Sequence, residues 1–354
     1  MPTEHGSVRV VSGGDVMFET PLSQTRSASC RAVQDALAYL TAADLCFMNC
    51  EMPLTRRGQR VEKTASLRSD PIVASDLARL GIDVVTLANN HMLDYGYDGL
   101  FDTLSTIDSV GIGRVGAGAT REEALRPHYV SVNGRRLALF GVAATLPPGF
   151  AAGVDRPGIA PIRVTFSFAV DPNLMAEQPG TAPWVHTQAV IEDVEQIADL
   201  IRRAKQEADY VIVAVHWGLT RRRATPYQGM IADYQGPLGR AFIDAGADMI
   251  LGNHSHNLHG VEVYQGKPIF YSLGNFIFHH PRDYMEPESV IVAADLNGST
   301  LHIELVPVLV NDEGFPEVAR GDKREHVLGV LAERSAQFGT EFLPTANGVA
   351  VRLG

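Results

Sequence analysis

Seven side chains able to bind a cation or move a proton stand just beyond apolar runs of this sequence: Asp15, Glu51, Asn90, His91, His216, His254 and His256. Imidazole nitrogen and carboxylate oxygen suit Zn, Mn and Fe, and an Asn carbonyl adds a further oxygen ligand. A carboxylate shared by two ions about 3.5–4 Å apart, a role open to Glu51, belongs to two-metal phosphatases and nucleases, where the ions clamp an oxyanion and generate hydroxide. A histidine with no metal to bind, such as His91, can protonate a leaving group. His254 and His256 alternate on an extended segment, so both can grip one ion. Each residue alone has a plainer reading. Asp15 follows Gly13-Gly14 and could be a turn residue, Glu51 a surface acid, Asn90 a helix cap, His91 a loop histidine, and His216 a group packed beside Trp217. The conjunction of five segments ending in these residue types is what points to a site.

The elements that must position them alternate between strand and helix. Apolar runs at 7–12, 45–49, 82–88, 210–215 and from 248 to 251 read as strands, with amphipathic spacing between them at 30–42, 97–110, 187–208 and 231–245. Asp70-Pro71 opens a further helix that ends near Gly81. This rhythm predicts parallel strands with packed helices, and ligands in such sheets bind beyond the carboxyl ends of the strands. Asn133-Gly134 and Asn297-Gly298 predict hairpins over 129–142 and 290–310. The segment 261–278 is β-rich, 322–338 reads as a last helix, and a strand is expected at the end. The stretch 151–186, rich in Pro, Gly and Ala, reads as a long loop insertion. No linker divides the chain, so residues 1–354 are expected to form one α/β domain, satisfied by two face-to-face sheets with helices outside.

Composition narrows the function. The chain has 354 residues, of which 45% are hydrophobic and 20% charged, enough apolar material for a large core. Its 30 basic and 41 acidic residues give a formal charge of −11, which argues against nucleic-acid or anionic-membrane partners. A metal would reverse the local sign and still admit an anionic substrate. Three cysteines make a poor disulfide framework. There is no basic and apolar leader pattern and no run of 18 apolar residues, so a cytoplasmic protein is expected.

The strings Gly14-Asp15-Val16-Met17, Ala88-Asn89-Asn90-His91-Met92-Leu93-Asp94-Tyr95-Gly96, Val115-Gly116-Ala117-Gly118, His216-Trp217-Gly218, Gly246-Ala247-Asp248, Gly252-Asn253-His254-Ser255-His256 and Tyr271-Ser272-Leu273-Gly274-Asn275-Phe276 resemble the CapA family. That family is named for poly-γ-glutamate capsule synthesis and lies in the calcineurin-like metallophosphoesterase superfamily. The resemblance covers roughly residues 7–310. It implies a four-layer α/β/β/α sandwich with a site between the sheets for a divalent metal (Mn, Fe or Zn). Carried over, Asp15 is the first ligand and Glu51 the bridge. Asn90, His216 and His254 serve the second metal, His256 the first, and His91 is the acid or oxyanion stabiliser. Lys63 falls where such chains carry a lysine able to contact an anion.

Departures from the superfamily pattern are informative. Asp-x-His is replaced by Asp15-Val16-Met17, a thioether in place of an imidazole. The acidic-aromatic pair expected after His216-Trp217-Gly218 is replaced by Leu219-Thr220 and Arg221-Arg222-Arg223, read either as a solvated face or as a clamp for an anionic or acidic-peptide substrate. Lys63, Trp217, Arg221 and Asn275 are the candidate substrate contacts; His279-His280 divides between site and surface.

Three functions compete. The first is a metal-dependent hydrolase of a phosphoester or peptide amide, catalysed by His91, Asp15 and His256. The second is a peptide epimerase that needs no metal, using Asp15 with His91 or His256 as an acid–base pair, a reading that Met17 favours. The third is an accessory protein of polymer synthesis. The expected partner is a small-molecule or peptide substrate, and a homo-oligomer is compatible with the sequence.

Overall fold

The structure, a computed structural model, describes residues 6–219, 230–279 and 285–354. Alternation along its central strands decides the layering. In Tyr210–His216 every residue is buried, so both faces of that strand are covered. Tyr210, Ile212 and Ala214 join one apolar cluster, and Val211, Val213 and Val215 another. Leu45–Cys50 behaves alike: Leu45 and Phe47 face the first of these clusters, and Cys46, Met48 and Cys50 face a third. A strand buried on both faces reads as continuous apolar sequence, as parallel sheets require.

Three clusters separate four layers. The middle one lies between two sheets and takes Val8, Val10, Phe47 and Val292 from one, and Leu137, Ile212 and Leu251 from the other. Outside the first sheet, the helices Arg31–Thr41 and Gly96–Ser109 bury Val33, Leu37 and Leu40, and Leu100, Leu104 and Ile107. Outside the second, Ile191–Glu207 and Gln235–Asp244 bury Ile197, Ile201, Leu238 and Phe242. This is a four-layer α/β/β/α sandwich, the architecture that the resemblance to the CapA family implies.

In the first sheet Leu45–Cys50 runs parallel to Val84–Thr86 on one side. On the other it pairs with Val8–Ser12 and then with Asp15–Met17, one path broken at Gly13-Gly14. Beyond that path lie Glu288–Asn297 beside its first part and Asn275–Phe278 beside its second. Thr300–Val310, Val349–Val351 and Phe342–Pro344 extend the sheet. The second sheet is ordered Val261–Tyr264, Lys267–Phe270, Met249–Asn253, Tyr210–His216, Arg135–Ala143 and His128–Val132. Both hairpins form: Asn133-Gly134 makes the first turn as expected, and the second turns one residue later, on Gly298-Ser299, with Asn297 still paired to Thr300. Asp70 caps its segment by accepting from the Ile72 amide, but the first turn is 3-10, Pro71–Val73, before the helix Ala74–Arg79.

The 151–186 insertion is not a loop. Val164–Ala169 and Trp184–Ala189 form an antiparallel ribbon around the helix Pro172–Glu177, and the helix expected from 187 begins only at Ile191. Val164-Thr165-Phe166-Ser167-Phe168 alternates as a strand should, but the surrounding Pro and Gly outweigh it by composition. The ribbon leaves Phe166, Phe168 and Trp184 largely exposed. No helix among the described residues is long and apolar enough to cross a membrane.

Candidate metal centre

The alternation that builds the inter-sheet core also builds the site. Continuing the inward positions Leu45 and Phe47 gives Asn49, with Glu51 next, and continuing Ile212 and Ala214 gives His216. At the ends of these strands apolar side chains give way to polar ones, and all are buried. Gly14 lets the broken strand approach its neighbour: a Cβ there would lie 2.2 Å from the Gly274 carbonyl oxygen. The close approach lets the Asp15 amide donate to that same oxygen at 3.0 Å.

The structure brings Asp15, Glu51, Asn90, His91, His216, His254 and His256 together. Asp15 accepts from Asn49 Nδ2 at 2.7 Å and from the His254 amide at 3.2 Å, and its Oδ2 lies 3.3 Å from His256 Nδ1. His216 Nε2 lies 2.8 Å from Asn90 Oδ1 and 3.0 Å from His254 Nδ1. His91 Nδ1 is 2.6 Å from Asp94 Oδ2. Two triads, Glu51 with His216 and His254, and Asp15 with Glu51 and His256, each hold their ligand atoms within 4.8 Å of one another. Glu51 belongs to both.

One atom tests whether cations fit. Glu51 Oε1 is buried and has no hydrogen-bond partner. Around it stand Nε2 of His216 at 3.6 Å and Nε2 of His91 and His256 at 3.8 Å. These separations are too long for hydrogen bonds. Two ligands each about 2.1 Å from a tetrahedral ion lie about 3.4 Å apart, so the spacing suits atoms that share a cation. The donor set fits Mn, Fe or Zn.

Electrostatics agrees. Burial drives the Glu51 carboxyl well above its ordinary pKa, and the adjacent Asp15 adds to this. Burial also opposes ionisation of Asp15, yet the hydrogen bond and charge of His256, with Asn49 and the His254 amide, hold it below the ordinary value. Burial and the neighbouring imidazoles push His216 well down and His254 down to about 3. Burial lowers His91 too, against the pull of Asp94. The lowered pKa values of His91, His216 and His254 leave these rings neutral, with nitrogen lone pairs beside the Glu51 carboxyl, a donor set to which a cation would add positive charge. His254 and His256 also adopt φ of +102° and +58°. Such backbone costs of order 1–3 kcal/mol per residue and clusters at functional sites.

Other expected contacts fall elsewhere. Trp217 is fully buried on the opposite face of its strand, stacked on Tyr271 and donating to the Tyr271 carbonyl, and does not reach the site. Adjacent strand residues face opposite ways, so His216 pointing inward puts Trp217 outward. Asn275 is buried behind His256, its Oδ1 3.0 Å from Nδ1, where it orients that ring. Lys63 pairs with Asp94 at 2.5 Å and donates to the Asn90 carbonyl, bracing the loop that carries Asn90 and His91. Met17 lies in the apolar cluster outside the first sheet. Arg221, with Arg222 and Arg223, and His280 lie outside the described residues.

Two further residues, Asn49 and Asp94, support the site. Asn49 donates to Asp15 and, at 3.3 Å, to Glu51, while its Oδ1 accepts from Asn89. The inward register of its strand was the available signal. Asp94 holds both His91 and Lys63, and its place three residues after His91 was the clue.

Residues 9–280 match the family described as bacterial capsule synthesis protein PGA_cap. A probable polyglutamine synthesis accessory protein of Mycobacterium tuberculosis is 30% identical over 339 residues, spanning 88% of this chain and 81% of its own. The PGA biosynthesis protein CapA of Bacillus subtilis is 30% identical over 83% of this chain and 69% of its own. The capsule biosynthesis protein CapA of Bacillus anthracis is 27% identical over 89% and 70%. The motifs quoted from the sequence, the four-layer sandwich and these relatives agree, and the chain belongs to the CapA family of bacterial capsule synthesis proteins.

Proposed function

We propose that this protein is an accessory enzyme of peptide-polymer synthesis that hydrolyses a phosphoester or amide bond at a two-cation centre. The observation that carries the reading is the orphaned Glu51 Oε1 amid three imidazole nitrogens. The names of the relatives supply the polymer context.

Asp15, Glu51 and His256 would hold one cation, and Glu51, Asn90, His216 and His254 the other. Bound there, the pair supplies charge that polarises a phosphoryl or carbonyl group and activates water. The chain's own groups do the rest. Asn49 fixes the carboxylates of Asp15 and Glu51 through one amide nitrogen. Asp94 orients His91 through Nδ1, which turns Nε2 towards Glu51 and the reacting groups. There, with its Nδ1 proton held on Asp94, the neutral ring would take a proton from the attacking water at Nε2 and give it to the leaving oxygen or nitrogen. Lys63 keeps the loop of Asn90 and His91 in register.

The test is elemental analysis of protein purified without chelator or affinity metal, with Glu51→Ala as control, followed by turnover of an aryl phosphate and a γ-glutamyl anilide. About one or two equivalents of transition metal, lost in the variant, with turnover abolished by chelator, is the expected result. No metal and no uptake of added Mn or Zn refutes it. Solvent deuterium entering a peptide Cα would then favour the epimerase.

A further inference from the structure

The two left-handed histidines need more than their own hydrogen bonds to stay in place. On the inner side, Asp15 and Asn275 hold His254 and His256. On the outer side, the loop folds on itself: Ser255 Oγ donates to the Asn257 carbonyl at 2.9 Å, and the Asn257 amide approaches Ser255 Oγ at 3.3 Å. What secures this outer side is the end of the helix Asp322–Ser335, which lies beyond the residues 9–280 matched by the family.

Arg334 stands in the last turn of that helix. One arm of its guanidinium donates to the Leu258 carbonyl, and the other meets Glu286 at 2.8 Å. The Glu286 amide in turn donates to Asn257 Oδ1 at 2.9 Å. Arg334 and Glu286 are mostly buried, with side chains 14% and 12% exposed. The loop's exit is pressed against the same turn: a Cβ on Gly260 would lie 2.2 Å from the Arg334 carbonyl oxygen, and the Val261 amide donates to Ser335 Oγ at 3.0 Å. Val327 and Leu331 pin the helix to the inter-sheet core. The rigid fork of arginine spans two acceptors that a lysine's single nitrogen cannot hold in one geometry.

We propose that Arg334 is a positioning residue for the metal centre, clamping the 254–260 loop so that His254 and His256 present their nitrogens in register. Its effect on metal affinity rests on the two-cation reading; its effect on the loop does not.

The experiment compares Arg334→Met, Arg334→Lys and Leu331→Ala in the full chain. Leu331→Ala loosens the helix while keeping both arms of the clamp. Two quantities are read: the Mn2+ dissociation constant, with the electron paramagnetic resonance spectrum of the bound ion, and amide hydrogen exchange of peptides spanning 254–260. Arg334→Met should weaken Mn2+ by about tenfold or more and speed exchange in that loop. Arg334→Lys should recover part of both. Leu331→Ala should lower Tm yet cost far less affinity than Arg334→Met, because it leaves the supporting contacts in place. Unchanged affinity and exchange in Arg334→Met overturn the proposal, as does an equal loss in Leu331→Ala. Should wild type take up no Mn2+, the two-cation reading fails and exchange alone decides the clamp. Should Arg334→Met fail to fold, Arg334→Lys against wild type gives the same two readings.

Discussion

Replacing Glu51 by Gln should stabilise the cation-free protein and destabilise it relative to wild type once metal is added. Glu51 is wholly buried and its carboxyl titrates well above the ordinary 4.5. The folded chain therefore holds a proton that the unfolded chain releases above pH 4.5. Stability from this group is complete below that pH and falls as pH rises towards the raised folded value, by at most about 1.4 kcal/mol per unit. From pH 4.5 to 6.5 the ceiling is about 2.7 kcal/mol. Gln copies the protonated acid, keeps an oxygen for Asn49 and offers an amide to the imidazoles beside Oε1, so it avoids the loss. With an unfolding entropy of roughly 2.1 cal/mol/K per residue over the chain, 2.7 kcal/mol is about 3–4 °C in Tm. Metal reverses the order: at a hundred times its Kd it adds about 2.7 kcal/mol to wild type, and little to a variant without the shared carboxylate. Thermal unfolding between pH 5 and 8, in chelator and in Mn2+, reads both effects. A Glu51→Gln protein less stable than wild type in chelator across that range, or equal gains from Mn2+ in both, would refute the reasoning.

Three further outcomes follow from the same geometry. Gly14→Ala must separate Asp15–Met17 from Asn275–Phe278, because its Cβ would stand 2.2 Å from the Gly274 oxygen; metal uptake should drop with Tm, and retention of full metal content would show that the strand pairing does not set Asp15. Lys63→Met strips the counter-ion from the fully buried Asp94 and should cost about 3–5 kcal/mol in denaturant unfolding, nearer the lower figure because His91 and the Leu67 amide remain on Asp94. A cost under about 0.5 kcal/mol, typical of exposed positions, would count against that role. In Glu51→Gln without metal, acid should destabilise the fold from pH 6.5 downward, by up to about 1.4 kcal/mol per unit for each buried histidine. His216 and His254 have folded pKa values below the ordinary 6.5, so their stability is complete above it and lost as they charge; a flat Tm from pH 7 to 5 would contradict their burial as neutral rings.

The sequence made the candidate site legible because the residues able to hold a cation are local to strand ends. Asp15, Glu51, His216 and the His254–His256 pair each end an apolar run, and a sheet brings such ends to one rim whatever the intervening helices do. The same runs hid which face each residue takes. Leu45-Cys46-Phe47-Met48-Asn49-Cys50-Glu51 is buried on both sides, so periodicity has no polar face to mark, and Asn49 passes for an ordinary strand residue. Yet once His216 is given a place in the site, period two alone excludes Trp217, and that inference needs no coordinates.

What the sequence could not supply is tertiary support. Arg334 reaches Leu258 across 76 positions and Lys63 reaches Asp94 across 31, and neither pairing leaves a pattern in its own segment. Arg334 sits in a helix whose last turn favours any cation, so its sequence context reads as ordinary capping. Only the left-handed backbone of His254 and His256 shows why a distant cation is needed there. Side chains in those conformations would relax were the outer side of the loop free. The ligands that chemistry selects are thus written into strand ends, while the groups that hold them in geometry come from wherever the packing delivers a donor.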